Sequence, residues 1–142
     1  NKLDLIEKET NTAKAFEDKV RKKIAPFNDV PILFISAKEK TRIFKVIEIA
    51  LDVYANKSKK IPTSKLNDIM LKAIEAYHAP VVRGHSIKIK FVTQLPTIVP
   101  SFAFFCNYPD DIKQPYKSYL ENKLRENFSF AGVPIRLFFR KK

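Results

Sequence analysis

Asn1, Lys2, Leu3 and Asp4 read N-K-x-D, and an apolar stretch some thirty residues on ends in Ser36, Ala37 and Lys38, or S-A-K. These residue types at this separation can read a purine base. An ionised carboxylate at Asp4 can accept two hydrogen bonds, from guanine N1–H and from its 2-amino group. Adenine cannot offer that pair of donors in that geometry. The aliphatic stem of Lys2 can lie along one face of the base, and the stem of Lys38 can cover the other. The backbone N–H of Ala37 can meet O6. The amide of Asn1 can tie the base-binding loop to a phosphate-binding loop.

The pair resembles the base-recognition motifs of Ras-like GTPases. N-K-x-D alone arises by chance; followed by a helical stretch and an apolar strand ending in S-A-K, it is much more specific. The rest of such a site is missing. There is no G-x-x-x-x-G-K-[ST] loop to cradle phosphates and hold Mg2+, since the chain has two glycines, Gly84 and Gly132, far apart. There is no D-x-x-G motif either. The chain therefore reads as the C-terminal piece of a longer GTPase. It is expected to be inactive alone, to hold no catalytic residue or metal site, and to bind no nucleotide tightly.

The 142 residues are 45% hydrophobic and 30% charged, with nine prolines. That suits ordered structure with a core and does not suit a flexible tail. One cysteine, Cys106, allows no internal disulfide and fits a reducing cytoplasm. No apolar run approaches the ~20 residues that span a membrane. The formal net charge is +12, spread over both halves: residues 1–60 carry fourteen basic and nine acidic side chains, residues 61–142 thirteen and six. A surface of this kind attracts phosphate polyanions.

Periodicity places the elements that must position these residues. Thr10 or Asn11 can cap a helix to about Ile24, with Ala13, Phe16, Val20 and Ile24 on one face. Val30 to Ile35 reads as a strand buried on both faces of a parallel sheet. A second helix is expected over about 41–54, with Ile43, Val46, Ile47, Ala50 and Tyr54 aligned. Helix, strand, helix is the closing part of a doubly wound fold, an α/β remnant that should expose apolar surface unless something covers it. Asn56 to Lys60 reads as a solvated connector. Beyond it, Thr63 or Ser64 can cap a helix to Tyr77, whose stripe is Leu66, Ile69, Met70, Ala73, Ile74 and Tyr77. His85 to Val92 alternates, with Ile87, Ile89 and Phe91 opposite Ser86, Lys88 and Lys90. Ser101 to Asn107 is a second strand, joined to the first by a long loop with Pro96 and Pro100. A helix from Pro115 turns Tyr116, Leu120, Leu124 and Phe128 inward. A last strand alternates Ile135, Leu137 and Phe139 with Arg136, Phe138 and Arg140. The order α-β-β-α-β predicts an α+β domain with two helices on one face of a three-stranded sheet.

Residues 61–142 closely resemble the C-terminal KH-like domain of the Der (EngA) family, bacterial GTPases with two tandem G domains. The stretches that carry the resemblance are IPTSKLN at Ile61–Asn67, IKIKFVTQ at Ile87–Gln94, YKSYLENKLRENF at Tyr116–Phe128 and GVPIRLFFRKK at Gly132–Lys142. On this resemblance residues 1–60 correspond to the end of the second G domain with its linker, so that the G domain is a repeated unit of the parent. It implies a parent that binds and hydrolyses GTP with Mg2+, releases GDP, and acts in biogenesis of the large (50S) ribosomal subunit. The partners implied are the 50S subunit, with its rRNA and proteins, and the upstream G domains. Of the family's GTP-binding residues only Asn1, Lys2, Asp4, Ser36, Ala37 and Lys38 have counterparts here.

KH domains that grip RNA clamp its backbone with a G-x-x-G loop, and this chain has none. The last strand offers another surface. Arg136, Phe138 and Arg140 share a face, and Lys88 and Lys90 join them if the first and last strands are neighbours. A cation-and-aromatic face can stack bases and contact phosphates, with Lys141 and Lys142 as further phosphate contacts. The competing reading packs this face on the G domains with Phe138 buried. His78 and His85 lack the partners of a metal site, Cys106 reads as a small core residue, and Asp110 and Asp111 read as a turn. Three functions remain in competition: a GTPase fragment, a stand-alone basic RNA-binding module, and an interaction module that reports nucleotide state.

Overall fold

The computed structural model describes residues 1–2, 12–24 and 29–141, which divide into two compact units, Asn1–Ala55 and Asn56–Lys142. The proposed first cap, Thr10 or Asn11, lies outside the described residues.

In the first unit, α1 spans Thr12–Ile24 and α2 spans Ile43–Lys57. Helix α2 starts two residues later than periodicity suggests. Thr41 is held to Ser36 by a reciprocal pair of backbone hydrogen bonds, 2.9 and 3.4 Å, and Arg42 has φ 59°, so neither can open the helix. The expected strand over 30–35 is not formed. The segment joins no ladder, and a strand without a hydrogen-bonded neighbour has no ladder to stabilise it. The apolar faces are correspondingly open: Phe16 and Val20 on α1, and Phe44, Ile47, Leu51 and Tyr54 on α2, are exposed, Phe44 at 78%.

The second unit holds the core. Helix α3 (Thr63–Ala76) is followed by β1 (Ile89–Leu95), β2 (Ser101–Cys106), a 3-10 turn (Pro109–Asp111), α4 (Gln114–Phe128) and β3 (Arg136–Lys141). The sheet order is β1-β2-β3, with β1 antiparallel and β3 parallel to the central β2. The expected helical stripes do the packing: Leu66, Met70 and Ile74 of α3 and Tyr116, Leu120, Leu124 and Phe128 of α4 are buried against Val92, Phe102, Phe104 and Phe130. Each such side chain contributes about 1.5–3 kcal/mol of transfer free energy.

Three local details differ from the sequence reading. Pro62, at φ −56°, is the N-cap of α3, and neither Thr63 nor Ser64 supplies a side-chain cap. Tyr77 is 55% exposed because the chain turns extended there (φ −143°) after the helix ends at Ala76. The first strand begins at Ile89 and not at His85. Val82 and His85 close a two-residue turn through Arg83 (φ 51°) and Gly84 (φ 77°), a geometry that glycine enters at little cost. The Asn107 side chain occupies the next backbone groups, accepting from Lys88 N–H at 2.8 Å and donating to Ser86 O at 2.9 Å. A register shift between Ile89 and Phe91 then changes the alternation. Ile89 and Val92 are buried in the core, while Phe91 pairs with Phe105 on the opposite face.

In the expected connector, Asn56 is half-buried and closes α2 with Lys57, residues 57–60 are exposed, and the segment is hydrogen-bonded within the second unit. Asn56 Nδ2 donates to Ala131 O at 3.2 Å and Lys59 Nζ to Phe128 O at 3.0 Å. The Gln94 amide accepts from Ile61 N–H at 2.8 Å and donates to Lys59 O at 2.9 Å.

Candidate guanine-recognition loop and KH-like sheet surface

In the first unit the two sequence motifs meet. Asn1 Oδ1 accepts hydrogen bonds from Ala37 N–H at 3.2 Å and from Lys2 N–H at 2.8 Å. Ser36 is buried, and its Oγ accepts from Glu39 N–H at 3.2 Å, so the S-A-K loop is folded back on itself. Lys2, Ala37 and Lys38 are exposed beside it. Asp4 lies outside the described residues. The Ala37 N–H, expected to point at a purine O6, is engaged by the Asn1 amide. Lys2 and Lys38 are thus exposed on the two segments that the Asn1–Ala37 hydrogen bond joins.

In the second unit, the face of the sheet away from α3 and α4 is ordered by register. Its first row is Phe91, Phe105 and Arg140; its second is Thr93, Ala103 and Phe138; its third is Leu95, Ser101 and Arg136. Arg136 and Arg140 are exposed, Phe138 is 40% exposed, and Phe91 and Phe105 are half-buried and stacked, with centroids 4.3 Å apart and planes at 11°. The predicted trio on β3 therefore does share an open face. Lys88 and Lys90 are not its neighbours. They belong to the β1 side of the sheet, and β2 separates them from β3. They reach the same end of the sheet as Arg140 and Lys141, because β1 starts where β2 and β3 end. Lys142 lies outside the described residues. Phe91 and Phe105 were missed by sequence reasoning: the register shift that turns Phe91 outward leaves no mark in a single sequence.

The strands carry Lys90, Arg136, Arg140 and Lys141 and no carboxylate. Asp110 and Asp111 lie in the 3-10 turn that contacts β3. On the helical side, Lys72, Tyr77, Tyr119 and Lys123 line a shallow cleft of about 640 Å³. Two of its polar groups are committed: Tyr119 Oη donates to Ala73 O at 2.8 Å, and Lys123 pairs with Glu126 at 2.8 Å.

Cys106 is fully buried. Burial pushes its thiol pKa up, Asp110 adds to the shift, and a backbone hydrogen bond at Tyr108 opposes it, so it is not an activated nucleophile. His85 stacks on Tyr108 at 4.9 Å. Among the described residues no group of three side chains could hold a metal, and no helix is long and apolar enough to cross a membrane.

A three-stranded mixed sheet with two helices on one face defines the second unit as a KH-like α+β domain. Residues 60–140 match the family described as the KH-domain-like of EngA bacterial GTPase enzymes, C-terminal, and the chain belongs to that family. Over its whole length it is 56% identical to the GTPase Der of Christiangramia forsetii, covering 33% of that protein. It is 51% identical to the GTPase Der of Flavobacterium johnsoniae (32% of that protein) and 53% identical to that of Porphyromonas gingivalis (33%), again with the whole chain covered. The chain thus spans about a third of the length of the curated relatives it matches.

Proposed function

We propose that this chain is the C-terminal part of a cytoplasmic GTPase that acts in assembly of the 50S ribosomal subunit. Residues 1–60 are the end of its second G domain, and residues 61–142 are the KH-like domain that meets rRNA. The observation that carries this reading is the hydrogen bond from Ala37 N–H to Asn1 Oδ1, which joins N-K-x-D to S-A-K. In this reading Asp4 selects guanine, Lys2 and Lys38 cover the ring, and Ser36 holds the loop that presents Ala37. GTP or GDP with Mg2+ binds the intact parent, whose phosphate-binding residues are outside this chain.

Base selection in the parent is the direct test. Asp4→Asn replaces an acceptor with a donor able to meet the 2-oxo group of xanthine. Binding of GDP should fall at least about 100-fold, since two hydrogen bonds to a charged acceptor are worth roughly 1.5–3 kcal/mol each, while xanthosine diphosphate binding rises. Unchanged GDP affinity would remove Asp4 from the site. Co-sedimentation of the parent with 50S subunits should require a non-hydrolysable GTP analogue and fail with GDP. Equal binding in both states would instead favour a basic RNA-binding module that acts without nucleotide, a reading supported by the carboxylate-free strands.

A further inference from the structure

We propose that the open face of the KH-like sheet is a single-stranded RNA platform. On it Phe138 stacks an unpaired base beside the Phe91–Phe105 pair, while Arg136 and Arg140 hold phosphates. This deepens, and rests on, the reading that the KH-like domain meets rRNA. It assigns that contact to the sheet and not to the helical side.

Four observations converge. The face presents three phenylalanines in adjacent rows, with Phe138 on β3 diagonal to Phe105 on β2. Diagonal cross-strand neighbours lie roughly 7–8 Å apart, about two base-stacking steps. Between them the floor is small and closed: Ala103 and Ser101 are fully buried beneath the larger side chains, so those side chains and not the floor form the contact surface. Arg136 and Arg140 flank Phe138 on the same strand face, and Lys141, Lys88 and Lys90 extend the positive charge along one end of the sheet. The strands themselves bear no carboxylate to repel a polyanion.

Charge decides the occupant. Every charged side chain on the three strands is basic, which complements a phosphate polyanion. Double-stranded RNA would offer phosphates but no free base faces, leaving the aromatic rows unused. Aromatic stacking on unpaired bases is worth roughly a 5- to 150-fold change in affinity per base.

The test measures binding of the 142-residue chain to a labelled single-stranded RNA, and in parallel binding of the intact parent to 50S subunits. Phe138→Leu should weaken RNA binding about 10-fold without changing its salt dependence, and Phe138→Trp should restore it. Arg140→Ala should weaken binding and reduce the slope of log affinity against log salt by about 0.7. Lys45→Ala on α2 serves as the control and should change neither. Equal affinity in wild type, Phe138→Leu and Arg140→Ala would overturn the platform. So would loss of RNA binding in the chain with no change in 50S binding by the parent, which would mark the face as covered by protein. Guanine-nucleotide binding by the same parent variants reports on the GTPase reading separately: its loss in the wild-type parent would sink that reading and leave the platform to be judged on RNA alone.

Discussion

The side-chain amide of Asn67 pairs with both backbone groups of Val92. Its Oδ1 accepts from Val92 N–H and its Nδ2 donates to Val92 O, each at 2.8 Å. The same Nδ2 also donates to Thr63 O at 2.7 Å. Strand β1 is an edge strand, and just after its register shift a helix side chain takes the place of a neighbouring strand. This explains how α3 is locked over the sheet at a point where the ladder has no backbone partner to offer. It also gives a polar residue on α3 a structural role that periodicity could not predict.

Replacing Asn67 with alanine should therefore destabilise the domain by about 2–4 kcal/mol, since two buried backbone groups lose their partners at roughly 1–3 kcal/mol each. For a domain of this size that lowers the melting temperature by about 10 °C or more. Asn67→Asp keeps the acceptor for Val92 N–H but removes both donated bonds, and should fall between the two. Thermal denaturation of the three proteins checks the order. Equal melting temperatures would mean that water satisfies Val92 as well as Asn67 does.

A second amide governs the connector. Because Gln94 accepts from Ile61 N–H and donates to Lys59 O, its two bonds can be separated. In Gln94→Ala the Ile61 amide should exchange with solvent at least about 10-fold faster, since an opening free energy of ~1.4 kcal/mol corresponds to that factor. In Gln94→Glu the acceptor remains, and Ile61 should stay protected while the contact to Lys59 is lost. Residue-resolved hydrogen exchange reads both. An unprotected Ile61 amide in the wild type would show that the connector is not tethered.

The third prediction concerns alkaline pH. Burial raises the Tyr116 pKa to about 12, and its neighbours Tyr119 and Tyr77 add to the shift. Its hydroxyl donates to Tyr77 O at 2.9 Å, a bond only the protonated form can make. The folded pKa lies above the unfolded value near 10. The stabilisation is thus complete below about pH 10 and is lost as pH rises toward 12. Denaturant unfolding between these values should show stability falling in the wild type, with a smaller fall in Tyr116→Phe. Tyrosinate absorbance should show one late-titrating group that disappears in the variant. A variant with an unchanged alkaline slope would exclude Tyr116 as its source.

Much of the second unit was legible because the signals are local. Both stripes follow from spacing along one helix: Tyr116, Leu120, Leu124 and Phe128 are all buried, while of Leu66, Ile69, Met70, Ala73, Ile74 and Tyr77 the first, third and fifth are buried, Ile69 and Ala73 half-buried and Tyr77 exposed. The alternation of Leu137 and Phe139 with Arg136, Phe138 and Arg140 fixes which side chains of β3 face the core. The apolar exposure of α2 was also legible, since among the described residues of the first unit no sheet is present to cover an apolar helix face. Val30 to Ile35 misled for the same reason: its apolar run suits a strand, but ladder bonds need a second strand.

The sequence by itself determined the residue types that could read a guanine, the two helical stripes, the cation-and-aromatic pattern of the last strand and the excess of positive charge. Those properties are written in neighbours along the chain. Only the tertiary structure decided that β2 stands between β1 and β3, which parts Lys88 and Lys90 from Arg136 and Arg140. It alone turned Phe91 onto the open face against Phe105, seated Asn67 on Val92, and brought Asn1 to Ala37 across 36 positions of the chain. Each of these is a contact between distant residues. Strand order, register and amide pairing are chosen by the free energy of the assembled core, in which every buried backbone group must find a partner, and no local pattern records which partner that is.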